Sequence, residues 1–191
     1  MLEILHQLFG AVCGQNPDHT CAPGGLLLPC CQRCLGLYAG AGIAALLHLW
    51  LRPQLTGRFL EAHGGFLLLM APFGFHWLPQ GPVLRIVTGL LFGFGIFAYL
   101  WLPMSRRFGD WAASLARPSG PDATYAIGLS LTAVLVPLLA ACGGQMTAYA
   151  LSVLVFFGLA ALAVVIIGDF VLALSGAVQW VRQRDQLCHQ Q

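Results

Sequence analysis

The chain is 191 residues long, 58% hydrophobic and only 8% charged, with a formal net charge of +2. A soluble domain carries about 25% charged residues, so a water-solvated globular fold is excluded and lipid must cover most of the surface. The small net charge gives no case for nucleic acid, and the lack of lysine removes Schiff-base and lysine-nucleophile chemistry.

In chain order, residues 1–33 form a cysteine-rich segment. Met1 to Gly14 has no basic region, and Glu3 stands where a positive charge would be expected, so a cleavable signal peptide is not predicted. Leu2, Leu5, Leu8, Phe9 and Val12 recur at helical spacing, which predicts a short amphipathic helix at the membrane surface.

A spanning helix needs about 20 mostly apolar residues. The hydropathy pattern predicts an all-α, polytopic transmembrane bundle of about five spans between residues 34 and 174. The first covers 34–51 and stops at Arg52-Pro53. The second covers 59–78, with Glu61 and His63 near one end. Gly64, Gly65, Pro72 and Gly74 interrupt it, leaving a kinked or partly re-entrant helix open. Pro79, Gly81 and Pro82 then make a tight turn into the third, 83–102. The fourth covers 123–142. The fifth, 148–174, is longer than the hydrocarbon core and should tilt or protrude. Residues 175–191 remain as a cytoplasmic tail.

With five spans, Arg52, Arg58, Arg106, Arg107, Arg117, Arg182 and Arg184 share one side. The positive-inside rule makes that side cytoplasmic and the N-terminal segment extracytoplasmic, as for a multi-pass protein of an inner or plasma membrane. Four spans would split these arginines between the two faces.

Six of the seven cysteines, Cys13, Cys21, Cys30, Cys31, Cys34 and Cys142, fall outside or at the outer boundary; Cys188 lies inside. Cys31-Gln32-Arg33-Cys34 is a C-x-x-C at the start of the first span. Three readings compete. Cys13, Cys31 and Cys34 with His19 or Cys21 would suit zinc or another soft transition metal. A C-x-x-C at a helix N-terminus beside Arg33 would equally favour a reactive thiolate, and so a thiol–disulfide oxidoreductase using Cys31 and Cys34 with a quinone as electron acceptor. Disulfides that merely staple a non-enzymatic membrane protein form the third.

Gly36-x-x-x-Gly40 and Gly89-x-x-x-Gly93 are small-residue pairs near the outer ends of the first and third spans, which predicts that these spans pack there. Packing of that kind puts Arg85 at the depth of Cys34. An arginine there would lower a thiol pKa, bind an anion or contact lipid phosphate, or else snorkel to the headgroups. His76 fits a ligand or proton carrier, or the interfacial belt that also suits Tyr38 and Trp77. His48, Glu61 and His63 make either a proton or ion entrance or a hydrated boundary. Asp169 stands alone in an apolar run, where it would pair with Arg182 or another arginine, or reach water. Cys188-His189 is half a metal motif in a short tail. No phosphate loop, hydrolase elbow, paired carboxylates or internal repeat is visible.

Cys13-x-Gln-x-Pro17, Pro29-x-Cys31-x-Arg33-Cys34-x-Gly36-x-Tyr38-x-Gly40, Pro72 and Arg85-x-x-Thr88-Gly89-x-x-x-Gly93 together resemble the signature blocks of the DUF2085 family of predicted prokaryotic membrane proteins. The resemblance covers roughly residues 13–95 and implies a membrane protein without assigning a reaction. It points to Cys13, Cys31, Arg33, Cys34, Tyr38 and Arg85. Two positions depart from the family pattern. Gly14 stands where the family carries a histidine, and His76 occupies the neighbourhood of an acidic residue.

Overall fold

In hydrocarbon every backbone N–H and C=O must be satisfied within the chain, which helices do locally. The computed structural model describes residues 2–75, 77–113 and 122–188, and these residues are helical almost throughout. They form α1 (Leu2–Gly10), α2 (Gln32–Leu51), α3 (Gly57–Gly74), α4 (Pro82–Ala113), α5 (Asp122–Cys142) and α6 (Gln145–Cys188). Two single 3₁₀ turns, Pro17–His19 and Pro23–Gly25, fold the segment between α1 and α2. Among the described residues the one β feature is an isolated bridge from Thr20 to Cys31. His76, Arg117 and His189 lie outside the described residues, as do the side chains of Arg106, Arg107, Arg182, Arg184 and Cys188.

Four helices are long and apolar enough to cross a membrane: Gln32–Leu51, Pro82–Ser105, Ala123–Cys142 and Gln145–Ala177. The segment expected as a second span forms α3 but is not among them. Arg58, Glu61, His63 and four glycines dilute its hydropathy. The last helix runs on to Cys188, through residues that composition assigns to a tail.

Backbone contacts fix the directions. A Cβ added at Gly36 would meet the Ile86 carbonyl and one at Gly40 the Leu90 carbonyl. Reciprocally, Gly89 faces the Arg33 carbonyl and Gly93 the Leu37 carbonyl. Residue numbers rise together on both helices, so α2 and α4 run parallel with backbones touching, as small-residue pairs allow. α3 therefore has to carry the chain back. It lies antiparallel on α4, with Gly64 against the Tyr99 hydroxyl and Gly95 against His63 and Leu67. At about 1.5 Å per residue its length matches the hydrocarbon thickness. Gly158 meets the Tyr38 carbonyl, so α6 packs as closely on the other side of α2. Gly128 of α5 faces Leu47, and Gly24 faces Gly144 and Gln145, which makes α5 another return helix. Hence α2, α4 and α6 start at the end of the bundle that carries the cysteines, and α3 and α5 finish there.

The opposite end is closed by rings. His48 and His63 are 2% and 3% exposed. Each donates its Nδ1–H to a carbonyl one turn back, Ala44 and Phe59, at 2.8 Å. His63 Nε2 accepts from the Tyr125 hydroxyl at 3.0 Å. His48 packs edge-on against Phe97 and Tyr125 at 5.4 and 5.5 Å between centroids. Both histidines thus sit in an aromatic layer between helices, while Glu61 is exposed and does not join them. Asp169 keeps a buried Oδ1 with no partner among the described residues. Tyr38 is buried under α1 instead of standing in an interfacial belt, whereas Trp77 is exposed and stacked on Phe75.

Candidate functional site

The site is built by docking the first thirty residues onto the start of α2. One face of α1 supplies Leu5 and Phe9, both buried; Ile4 and Leu8 on the other face stay exposed. Phe9 meets the Tyr38 ring edge-on at 5.4 Å. Just past the helix, the Cys13 N–H donates to the Phe9 carbonyl at 2.8 Å, which fixes the cysteine relative to the docked turn. Gln15 adopts a left-handed backbone, φ 43°. Its amide donates to the His6 carbonyl at 2.6 Å and to the Pro29 carbonyl at 2.9 Å. One side chain thereby ties α1 to the strand-like approach of Cys30 and Cys31.

Cys31 is the N-cap of α2, with extended backbone. Its N–H donates to Cys13 Sγ at 3.3 Å. Cys34 lies one turn into the helix, on the same face. The sulfurs of Cys13, Cys31 and Cys34 all fall within 4.8 Å of one another. Thiolates on one tetrahedral ion sit roughly 3.8 Å apart, given metal–sulfur bonds of about 2.3 Å. The three side chains are therefore within small rotamer shifts of a shared metal.

The other expected ligands are elsewhere. His19 Nδ1 accepts from Arg85 Nη1 at 2.6 Å, so that lone pair is already taken. Cys21 is half-buried and hydrogen-bonded to Gln32; burial pushes its thiol pKa up. Cys30, beside the C-x-x-C in sequence, points into the core, and burial raises its pKa strongly. Cys142, at the end of α5, is exposed. All six described side-chain thiols are free.

The Cys34 thiol donates to Cys31 sulfur and holds the Cys31 pKa down to about 5, against an opposing contribution from burial. Metal-free protein should therefore alkylate at Cys31 at a constant rate from pH 8 to pH 6 and lose half that rate near pH 5. Removing the donor with Cys34→Ala should return the half-point toward the ordinary thiol value of about 8.5. A wild-type half-point already near that value would show that the pair does not interact this way. Peptide mass spectrometry after timed iodoacetamide pulses reads both.

Arg33 crosses to the next helix. Its Nη2 donates to the Phe73 carbonyl at 2.7 Å and to Gln80 Oε1 at 3.1 Å. Gln80 Nε2 donates to the same carbonyl. The cation thus satisfies the C-terminal end of α3, where Pro72 lies within the last turn. Arg85 reaches the other way, to His19 and, at 3.5 Å, to Gln32 Oε1. Sequence spacing alone did not single out Gln15 or Gln32. Their partners are fixed by tertiary docking, and amides carry no periodic signal.

Residues 13–99 match the family model described as predicted membrane protein, DUF2085. That stretch holds Cys13, the C-x-x-C, Arg85 and both small-residue pairs of the α2–α4 contact. No curated protein and no solved structure matches the chain.

Proposed function

We propose, for a chain that over residues 13–99 belongs to the DUF2085 family of predicted membrane proteins, that Cys13, Cys31 and Cys34 bind a soft transition-metal ion, zinc among the candidates, at an extracytoplasmic site. The observation that carries this reading is the convergence of three sulfurs from two separate segments. A backbone N–H on Cys13 sulfur and a thiolate favoured at Cys31 supply the anionic, oriented donors such an ion takes. The Arg33 backbone N–H, at the first turn of α2, also favours the thiolate at Cys31. The arginines support this choice of side. Arg52, Arg58 and the positions of Arg106, Arg107, Arg182 and Arg184 all fall at the far end of the bundle, which the positive-inside rule makes cytoplasmic.

Elemental analysis of the full chain, purified in mild detergent, tests this. The expected result is about one metal ion per chain in the wild type and close to none in Cys31→Ser. Metal-free protein whose Cys31 and Cys34 alkylate only after reduction would overturn it. That outcome belongs to the second reading, which the contact between Cys31 and Cys34 also favours: a membrane dithiol giving up two electrons and two protons to a quinone as its disulfide forms.

A further inference from the structure

Adjoining the three thiols, with Cys31 in its wall and Cys13 and Cys34 outside it, is a cavity of about 240 Å³. Besides Cys31, its polar walls are Gln15, Asn16, His19, Gln32, Arg33 and Arg85. It opens at the N-terminal ends of α2 and α4, where the apolar spans begin. Two guanidinium groups line it, and among the described residues no carboxylate does. Nor does either arginine pair with an acid elsewhere among those residues: Arg33 is held by a carbonyl and an amide, Arg85 by an imidazole and an amide. Asp18, adjacent to His19, is exposed and not in the wall. Arg33 Nε is buried without a partner. The two guanidinium groups therefore outnumber the one acidic group in the wall, the Cys31 thiol, and neither has a carboxylate partner, an unbalanced arrangement since buried charge ordinarily finds an opposite charge.

We infer that this cavity is a binding site for an oxyanion of the phosphate class, with Arg85 as its principal contact. Arg85 offers a planar fork suited to two oxygens of such a group, and Gln32 brings an amide to its rim. The volume lies below the roughly 300–1,000 Å³ of pockets for drug-sized ligands, which suits a headgroup-sized ion. Its depth, at the start of a spanning helix, is where a phospholipid headgroup or a free phosphate from solution would both arrive. The inference stands on the arginines and the cavity and does not require the metal.

The test is protection of Arg85 from a dicarbonyl reagent in the full wild-type chain, read by peptide mass spectrometry. The protein is compared in neutral detergent with and without inorganic phosphate, and in phosphatidylcholine nanodiscs without added phosphate. Exposed Arg58 serves as the reference for the detergent comparison. A fall of about tenfold in Arg85 modification with phosphate, Arg58 unchanged, supports a soluble oxyanion. The same fall in nanodiscs alone supports the headgroup. Equal modification of Arg85 in all three conditions overturns the site. Calorimetric titration with phosphate adds a second reading for a soluble ligand: Arg85→Gln should weaken binding by about tenfold or more, and Arg85→Lys by less. Unchanged affinity in Arg85→Gln would overturn the role given to Arg85.

Discussion

Gly40→Val and Gly89→Val should each leave little folded protein. A Cβ at Gly40 would collide with the Leu90 carbonyl, and one at Gly89 with the Arg33 carbonyl. Both obstacles are backbone, so no rotamer change relieves them. The two helices would have to separate along their whole parallel contact, and the loss should exceed the about 1–3 kcal/mol typical of an overpacked core. Without water around them, these helices have no hydrophobic drive to re-form the contact at a greater distance. Gly65 gives the contrast. It is exposed on α3 with open space where a side chain would go, so Gly65→Ala should match the wild type or gain slightly from helix propensity. Size-exclusion yield and thermal melting in detergent decide the matter. A Gly40→Val protein that melts with the wild type would mean that α2 and α4 do not touch here.

Metal content should fall from about one ion per chain to nearly none in Cys13→Ala, yet stay whole in Cys21→Ala. The two residues are equally good ligands on paper, and both sit in the loop before α2. What separates them is position. Cys13 sulfur takes the Cys31 N–H and lies in the converging group; Cys21 is turned to Gln32. Full loss in Cys21→Ala with no loss in Cys13→Ala would reassign the ligand set. A graded loss in both, tracking reduced folded yield, would favour a structural role for the whole loop.

Much of this was legible in the sequence, because membrane helices announce themselves by hydropathy alone. The all-helical bundle follows from composition, and the α2–α4 crossing from two glycine pairs at the same spacing. The pairing of Cys13 with the C-x-x-C is foreshadowed by the family signature, although spacing could not choose its companions. His19 illustrates the limit. Its partner, Arg85, stands 66 residues away, and no local pattern says that an imidazole will face a guanidinium instead of a thiol-bound ion. His48, His63 and Tyr125 illustrate another. Each lies near a helix end, where polar side chains are usually hydrated, but the crossing of four helices buries all three together. α3 is the reverse case: the hydropathy pattern predicts a span over 59–78, the segment does form a helix although it is not among the most apolar ones, and the parallel run of its neighbours on either side is what makes it carry the chain back.

The ring layer at the far end has a consequence for traffic. His48, Phe59, Phe97, Trp101 and Tyr125 fill the middle of the bundle there, edge against face. His48 Nε2 is buried within it with no partner among the described residues. Among the described residues this layer presents aromatic faces and imidazoles, and His63 Nε2 is already taken by the Tyr125 hydroxyl. The thiols and this packed layer thus lie at opposite ends of the bundle. If the thiols bind a metal as proposed, the ion would enter and leave by the mouth that Cys13, Cys31 and Cys34 share, from one side of the membrane.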